Sequence, residues 1–212
     1  MDRKLSTSLL ASLCIAAVAA LAFFSFQSPA LADDPAPIGE DAPTFTLPNV
    51  VDGSEVSLDD YEDKIVVLLF HSTSCPFYAM NENRGYDRVF VQMVEDYADE
   101  DVVFLGINSN RGQAAESIAQ YIDRHGINYT VVKDEGSAIA DAYGARVTPH
   151  VMVIDGEGVL RYRGGVEERP GNPNNCGNSD TQYLAPVIDA LLDGSEPPFT
   201  ETQPTGCGIR RG

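Results

Sequence analysis

The sequence predicts one α/β domain whose central mixed β-sheet is flanked by helices. Two unbroken apolar, β-rich runs, Lys64–Phe70 and Val102–Ile107, fit strands buried on both faces. Segments with helical spacing of apolar residues alternate with them. Later, Val151–Ile154 and Val159–Tyr162 flank Asp155-Gly156-Glu157-Gly158, the pattern of an antiparallel hairpin. Alternating strands and helices followed by a hairpin make a mixed sheet. The chain of 212 residues, 43% hydrophobic, suits a single globular domain with extensions.

The elements follow in order. Residues 1–32 read as an export signal peptide: Arg3 and Lys4, an apolar run from Leu9 to Phe26, then small residues at Ala30 and Ala32 before a cleavage point. The alternative is a membrane anchor formed by residues 9–26. The protein is therefore expected to be exported, periplasmic or extracellular, with a membrane as partner only if the segment is uncleaved. Residues 33–43 (DDPAPIGEDAP) are polar and Pro-rich, a flexible leader. The domain proper spans 44–193 and opens with an N-terminal hairpin extension, Phe45–Leu47 and Val56–Leu58 turned at Asp52-Gly53.

After the strand 64–70 comes His71-Ser72-Thr73-Ser74-Cys75-Pro76, a turn leading into a helix to about Tyr97. Val89, Phe90, Met93, Val94 and Tyr97 mark that helix's inner face, and Pro76 suits its first turn. A helix over 114–125 stops at Gly126; a strand over 129–132 and a short helix over 137–143, closed by Gly144, follow. Residues 164–180 read as a loop and 181–192 as the last helix. The tail 194–212 carries Cys207 and, being rich in Pro and Gly, has little to pack against.

Charge excludes some functions. Thirty-two acidic against fourteen basic residues give a net charge of −18, which argues against nucleic acid or an anionic membrane surface as the main partner. The acidic clusters at 59–63 and 96–101 read as solvated faces. Phosphate-cradling glycine loops, HExxH zinc patterns and nucleophile elbows are absent, so neither a cofactor nor a bound metal is expected.

Cysteine carries the positive signal. Beyond Cys14 in the apolar leader, three remain, Cys75, Cys176 and Cys207, an odd number that cannot all pair with one another. Cys75 stands after a buried strand and before a helix, where unpaired amides and the helix dipole favour the reactive thiolate. Thr148-Pro149 stands just before a strand, a setting in which proline is often cis.

Phe45-Thr-Leu-Pro48, Val66-Val-Leu-Leu-Phe70, Ser74-Cys75-Pro76, Tyr143-Gly144, Thr148-Pro149 and Val153-Ile-Asp155 together resemble the redoxin, AhpC/TSA-like (peroxiredoxin-like) branch of the thioredoxin superfamily over roughly residues 38–193. Thr205-Gly206-Cys207-Gly208-Ile209 is similar to the Gly-Cys-x-Ile tail of a redoxin-like subgroup. The resemblance implies a thioredoxin-like fold, with Cys75 as attacking thiol and Pro149 as the facing cis-proline. It implies an exported thiol-disulfide oxidoreductase acting on a protein or small-molecule disulfide or a peroxide, with an unidentified thiol reductant. The chain departs from the pattern: Tyr78 replaces a second cysteine of a CxxC motif, so any resolving thiol is distant. Cys207 is favoured over Cys176 because the tail likeness includes it; a static Cys176–Cys207 bridge is the alternative.

Supporting candidates are Ser72, His150 and three arginines, Arg84, Arg88 and Arg146, one of which would face the sulfur in a thiol peroxidase. His71 is a further neighbour of the cysteine in sequence. A third reading is a Cu(I)-handling module using Cys75, Cys207, His71 and His150.

Overall fold

The computed structural model describes residues 34–79, 85–168 and 176–211. The proposed signal peptide, and with it Cys14, lies outside these residues, as does Arg84. Among the described residues no helix is long and apolar enough to cross a membrane.

β1 (Thr46–Pro48) and β2 (Glu55–Ser57) form the antiparallel hairpin expected at Asp52-Gly53. Leu58 does not continue the strand but opens a 3-10 turn over Leu58–Tyr61, because Ser57 and Asp60 close a capping box there. β3 (Ile65–Phe70) is buried at every position. Then come α1 (Tyr86–Asp96), β4 (Val102–Asn108), α2 (Ala115–His125), β5 (Thr130–Lys133), α3 (Ala138–Ala142), β6 (Val147–Thr148), β7 (His150–Ile154), β8 (Leu160–Gly164), α4 (Leu184–Leu192) and β9 (Cys207–Gly208). Gly126 ends α2 in the left-handed region, as a helix stop requires.

The main sheet has the order β5-β4-β3-β7-β8. β3 runs parallel to β4 and antiparallel to β7, and β4–β5 is parallel and β7–β8 antiparallel. Side chains alternate across β3. Ile65, Val67 and Leu69 face a core built with Phe90 of α1, Ile118 of α2, and Val187 and Ile188 of α4. Val66, Leu68 and Phe70 face the opposite core, with Ile139 and Ala140 of α3 and Tyr143. This is the mixed α/β architecture that the buried runs implied, and the thioredoxin-like fold that the family resemblance implied.

Three expectations change. The helix after Cys75 does not start there: residues 76–79 make one turn, with Tyr78 and Ala79 amides donating to the Cys75 carbonyl at 3.0 and 2.7 Å, and α1 begins at Tyr86 behind Gly85. Gly85, the residue just before α1, is a poor helix former, a cost that the apolar spacing of 89–97 concealed. The leader is tied down, with Ala36, Gly39 and Ala42 amides bonded to Ala142, Leu160 and Gly158 carbonyls at 2.8–2.9 Å. Those are backbone bonds, to which a polar, Pro-rich composition is blind. α4 starts at Leu184 rather than 181, because the carboxylate of Glu167 captures the Gly177 and Ser179 amides and the Gln182 side chain at 2.6, 2.8 and 3.0 Å.

Phe90 is fully buried between α1 and the sheet, against Phe104 and Tyr129. Phe90→Ala is expected to destabilise the fold by about 3–5 kcal/mol, measured as a lower urea midpoint at unchanged slope.

Candidate functional site

Cys75 sits at the C-terminal end of β3, in the turn that its backbone closes by donating to the Ser72 carbonyl at 3.1 Å. Its sulfur donates to the Thr148 carbonyl at 2.8 Å. Thr148 is buried, and the Thr148-Pro149 peptide is cis, joining β6 to β7. Thus two segments 73 residues apart meet at one sulfur–oxygen contact.

The tail completes the site. β9 pairs antiparallel with β6, with Cys207 opposite Thr148 and Gly208 opposite Val147. Burial, followed by the neighbouring Cys75 thiol, pushes the Cys207 thiol up to about 12. Cys75 and Cys207 are both reduced. Cys176 is also buried, its sulfur donating to the Phe77 carbonyl at 3.4 Å. Burial, the Glu167 charge and then Cys75 push it up to about 12. All three thiols border one core, on the α1/α4 side of the sheet.

The expectation of a tail with little to pack against is overturned. The Arg163 amide donates to Thr200, and Arg163 pairs with Glu201 at 2.9 Å. Tyr162 and the Thr202 hydroxyl share a 2.5 Å bond. Past β9, Ile209 is buried beside Ala145 and Tyr143. The Arg210 amide donates to the Asn110 side-chain oxygen at 3.0 Å and its carbonyl accepts from the Arg111 amide at 2.7 Å, and Arg211 reaches Asp141 and the Ala145 carbonyl at 2.6 Å each. Pro and Gly here shape an extended strap that bonds through its backbone, which composition does not register.

A second expectation also changes. Cys75 is 1% exposed, and the helix whose N-terminus was to face it starts ten residues later.

The supporting residues divide. Pro76 is exposed beside the sulfur-bearing turn. Ser72 is buried, its hydroxyl bonded to Ser74 at 3.1 Å and accepting from Gln113 at 3.1 Å. His150 lies on the other face of the sheet, by alternation with Met152 and Ile154, and its Nδ1 accepts from the Arg146 amide at 3.3 Å. Arg88 turns away to the last carbonyl of α2, at His125, and to Asp87. The Arg146 side chain is exposed, while its backbone holds His150 and Ile209. Among the described residues no arginine is bonded to the Cys75 sulfur. Nor does any group of three or more His, Cys, Asp or Glu side chains there suit a metal ion, so the supposed copper set of Cys75, Cys207, His71 and His150 is not assembled.

Two more residues matter: Gly206, which was not among the candidates, and His71. Gly206 packs so closely that a Cβ there would lie 2.0 Å from the Thr148 oxygen. Its signal in the sequence was the glycine of Gly-Cys-x-Ile. His71 is fully buried with both ring nitrogens unpartnered, its ring 4.6 Å from that of Tyr78 and fitted over Gly106. Burial, with the Lys133 charge adding, holds His71 down at about 3; burial, then Arg163 and Arg146, does the same to His150.

Comparison with known proteins agrees with this geometry. The AhpC/TSA family model matches residues 38–163. Thiol-disulfide oxidoreductase ResA of Halalkalibacterium halodurans is 30% identical over 161 residues, 74% of this chain and 87% of that one. An uncharacterized conserved protein from Geobacillus kaustophilus superposes with a TM-score of 0.72 at 30% identity, over 83% of this chain and 93% of the other. A hypothetical protein from Sinorhizobium meliloti gives 0.72 at 27% identity, over 84% and 97%.

The histidines set a pH dependence. Both are neutral when folded and take up a proton near pH 6.5 when unfolded. The unfolded chain therefore binds more protons, and stability falls as pH drops from about 6.5 toward about 3. Lowering the pH from about 7.5 to about 5 is expected to remove roughly 2 kcal/mol per histidine. His71→Phe, which sacrifices no hydrogen bond, removes one such share when urea midpoints are compared at the two pH values.

Proposed function

Because the chain belongs to the AhpC/TSA family of thiol-dependent oxidoreductases, we propose that it exchanges disulfides through Cys75, with Cys207 as the resolving thiol. The observation that carries this reading is the meeting of the two cysteines at the Thr148-Pro149 turn, where the Cys75 thiol donates to the Thr148 carbonyl and Cys207 pairs opposite Thr148 across β6 and β9. Ionised Cys75 attacks one sulfur of a substrate disulfide, and the substrate's other sulfur leaves as a thiolate. Cys207, losing its proton, then attacks the Cys75 sulfur of the mixed disulfide and expels the second substrate thiolate. The substrate gains two electrons and two protons, and the protein retains a Cys75–Cys207 disulfide that an external thiol reductant reopens. Run backward, the same steps oxidise a dithiol.

Nothing at the site calls for a cofactor, since the electrons reside in the two sulfurs. Disulfide exchange is favoured over peroxide reduction because a second thiol, Cys207, is brought opposite the Thr148 that holds Cys75, while Arg88 is engaged at the end of α2 and Arg146 is exposed. Residues 1–32, with their basic start, apolar run and Ala-x-Ala pattern, support action outside the cytosol, where a disulfide persists.

Mass mapping after oxidised glutathione tests the pairing. The expected product links Cys75 to Cys207 and leaves Cys176 reduced. Cys75→Ser should abolish turnover of a disulfide-linked peptide, and Cys207→Ser should accumulate a mixed disulfide on Cys75. A Cys176–Cys207 link, or turnover that survives Cys75→Ser, overturns the reading.

A further inference from the structure

Cys75 is 1% exposed, so in this conformation no external molecule reaches the sulfur. Its thiol donates to the Thr148 carbonyl in the core, and Cys207 on the tail pairs directly opposite that same Thr148. We propose that residues 206–211 are a guard strap that must lift before any substrate meets Cys75, and that Gly206 is the positioning residue that seats it. The inference rests on Cys75 being the reacting thiol.

The strap is built to lift. β6 and β9 are two residues each, a ladder too short to be stable alone. What secures it are discrete fasteners: the Ile209 amide on the Arg146 carbonyl at 3.0 Å, the buried Ile209 side chain, the Arg210 backbone bonded to the Asn110 side chain and the Arg111 amide, and the Arg211 contacts with Asp141 and Ala145. Upstream, Thr200, Glu201 and Thr202 are fixed independently to β8 and the residue after it, through Arg163, Tyr162 and the Gly165 amide. The segment beyond Thr202 can therefore detach from β6 while the chain stays tethered. Cys207 then remains close at hand to resolve a mixed disulfide. Local opening of this kind costs less than global unfolding.

Gly206 sets how closely the strap lies. A Cβ at this position would fall 2.0 Å from the Thr148 oxygen and 2.5 Å from its carbonyl carbon. Both are backbone atoms of a buried strand and cannot step aside cheaply. The requirement is for space, because Gly206 is not among the glycines with positive φ. Any side chain here lifts β9 off β6 and draws the Cys207 thiol away from Cys75.

The test is alkylation of the reduced full-length protein by iodoacetamide at fixed pH, read at Cys75 by peptide mass mapping, with hydrogen exchange at the Ile209 amide in parallel. Gly206→Ala should raise the Cys75 alkylation rate about tenfold or more and deprotect the Ile209 amide together with it. Ile209→Ala, which loosens the strap without crowding Thr148, should move both in the same direction. If Ile209 exchange accelerates in both variants while Cys75 alkylation stays at the wild-type rate, the strap is not the guard and the proposal falls. These readouts are independent of turnover. Faster alkylation in the variants, combined with a wild-type protein whose Cys75 and Cys207 never link under oxidised glutathione, would leave the guard standing and remove the disulfide-exchange reading.

Discussion

The Thr148 carbonyl accepts the Cys75 thiol at 2.8 Å, and the same residue pairs across β6 with Cys207. One buried peptide thus sets the position of both sulfurs. It sits where the sheet's central strand ends: β3 delivers Cys75 from one side, and β7, antiparallel to β3, begins just past the cis peptide. Because β3 is buried on both faces and paired on both edges, the end of that strand has little freedom. The chemistry is held by the stiffest part of the molecule on one side and by a two-residue ladder on the other. That asymmetry makes the tail the movable partner.

The surrounding polar groups serve placement. Glu167, buried and bonded by Tyr86, Gly177, Ser179 and Gln182, organises the segment bearing Cys176. Gln113 joins Asn108 to Ser72 and Ser74, fixing the turn before Cys75. Asn110 touches both the His71 carbonyl and the Arg210 amide, so the β4–α2 loop holds the strand end and the tail together. His71 breaks this economy with two unpartnered nitrogens, against the general rule for buried polar atoms. Its ring fills the space that Gly106 leaves open, and packing there outweighs hydrogen bonding.

Much of the fold was legible in residue patterns. Ile65–Phe70 could only be a doubly buried strand, and Ile118 with Gly126 marked the face and the end of α2. Less of the site was legible. The meeting of Cys75 with Thr148-Pro149 was implied by the family resemblance, but nothing local showed that residues 76–79 make a turn on the Cys75 carbonyl and that α1 begins only at Tyr86. His150 and Arg88 looked near the sulfur by their place in the chain. Strand alternation sent the first to the opposite face, and α1 carried the second to the end of α2.

Local chemistry was enough for what depends on short-range spacing: the buried strands, the helix stops, the hairpin turns, and the choice of Cys75 and Pro149 as a pair worth watching. It was not enough for the tail. Whether Pro204-Thr205-Gly206-Cys207 hangs free or lies as a strand depends on a backbone edge offered by Val147 and Thr148, some sixty residues earlier, and on the buried apolar cluster, Ala145 among it, that takes in Ile209. Backbone hydrogen bonds carry no side-chain signature, so only the assembled chain could bring Cys207 to Cys75 and enclose the sulfur.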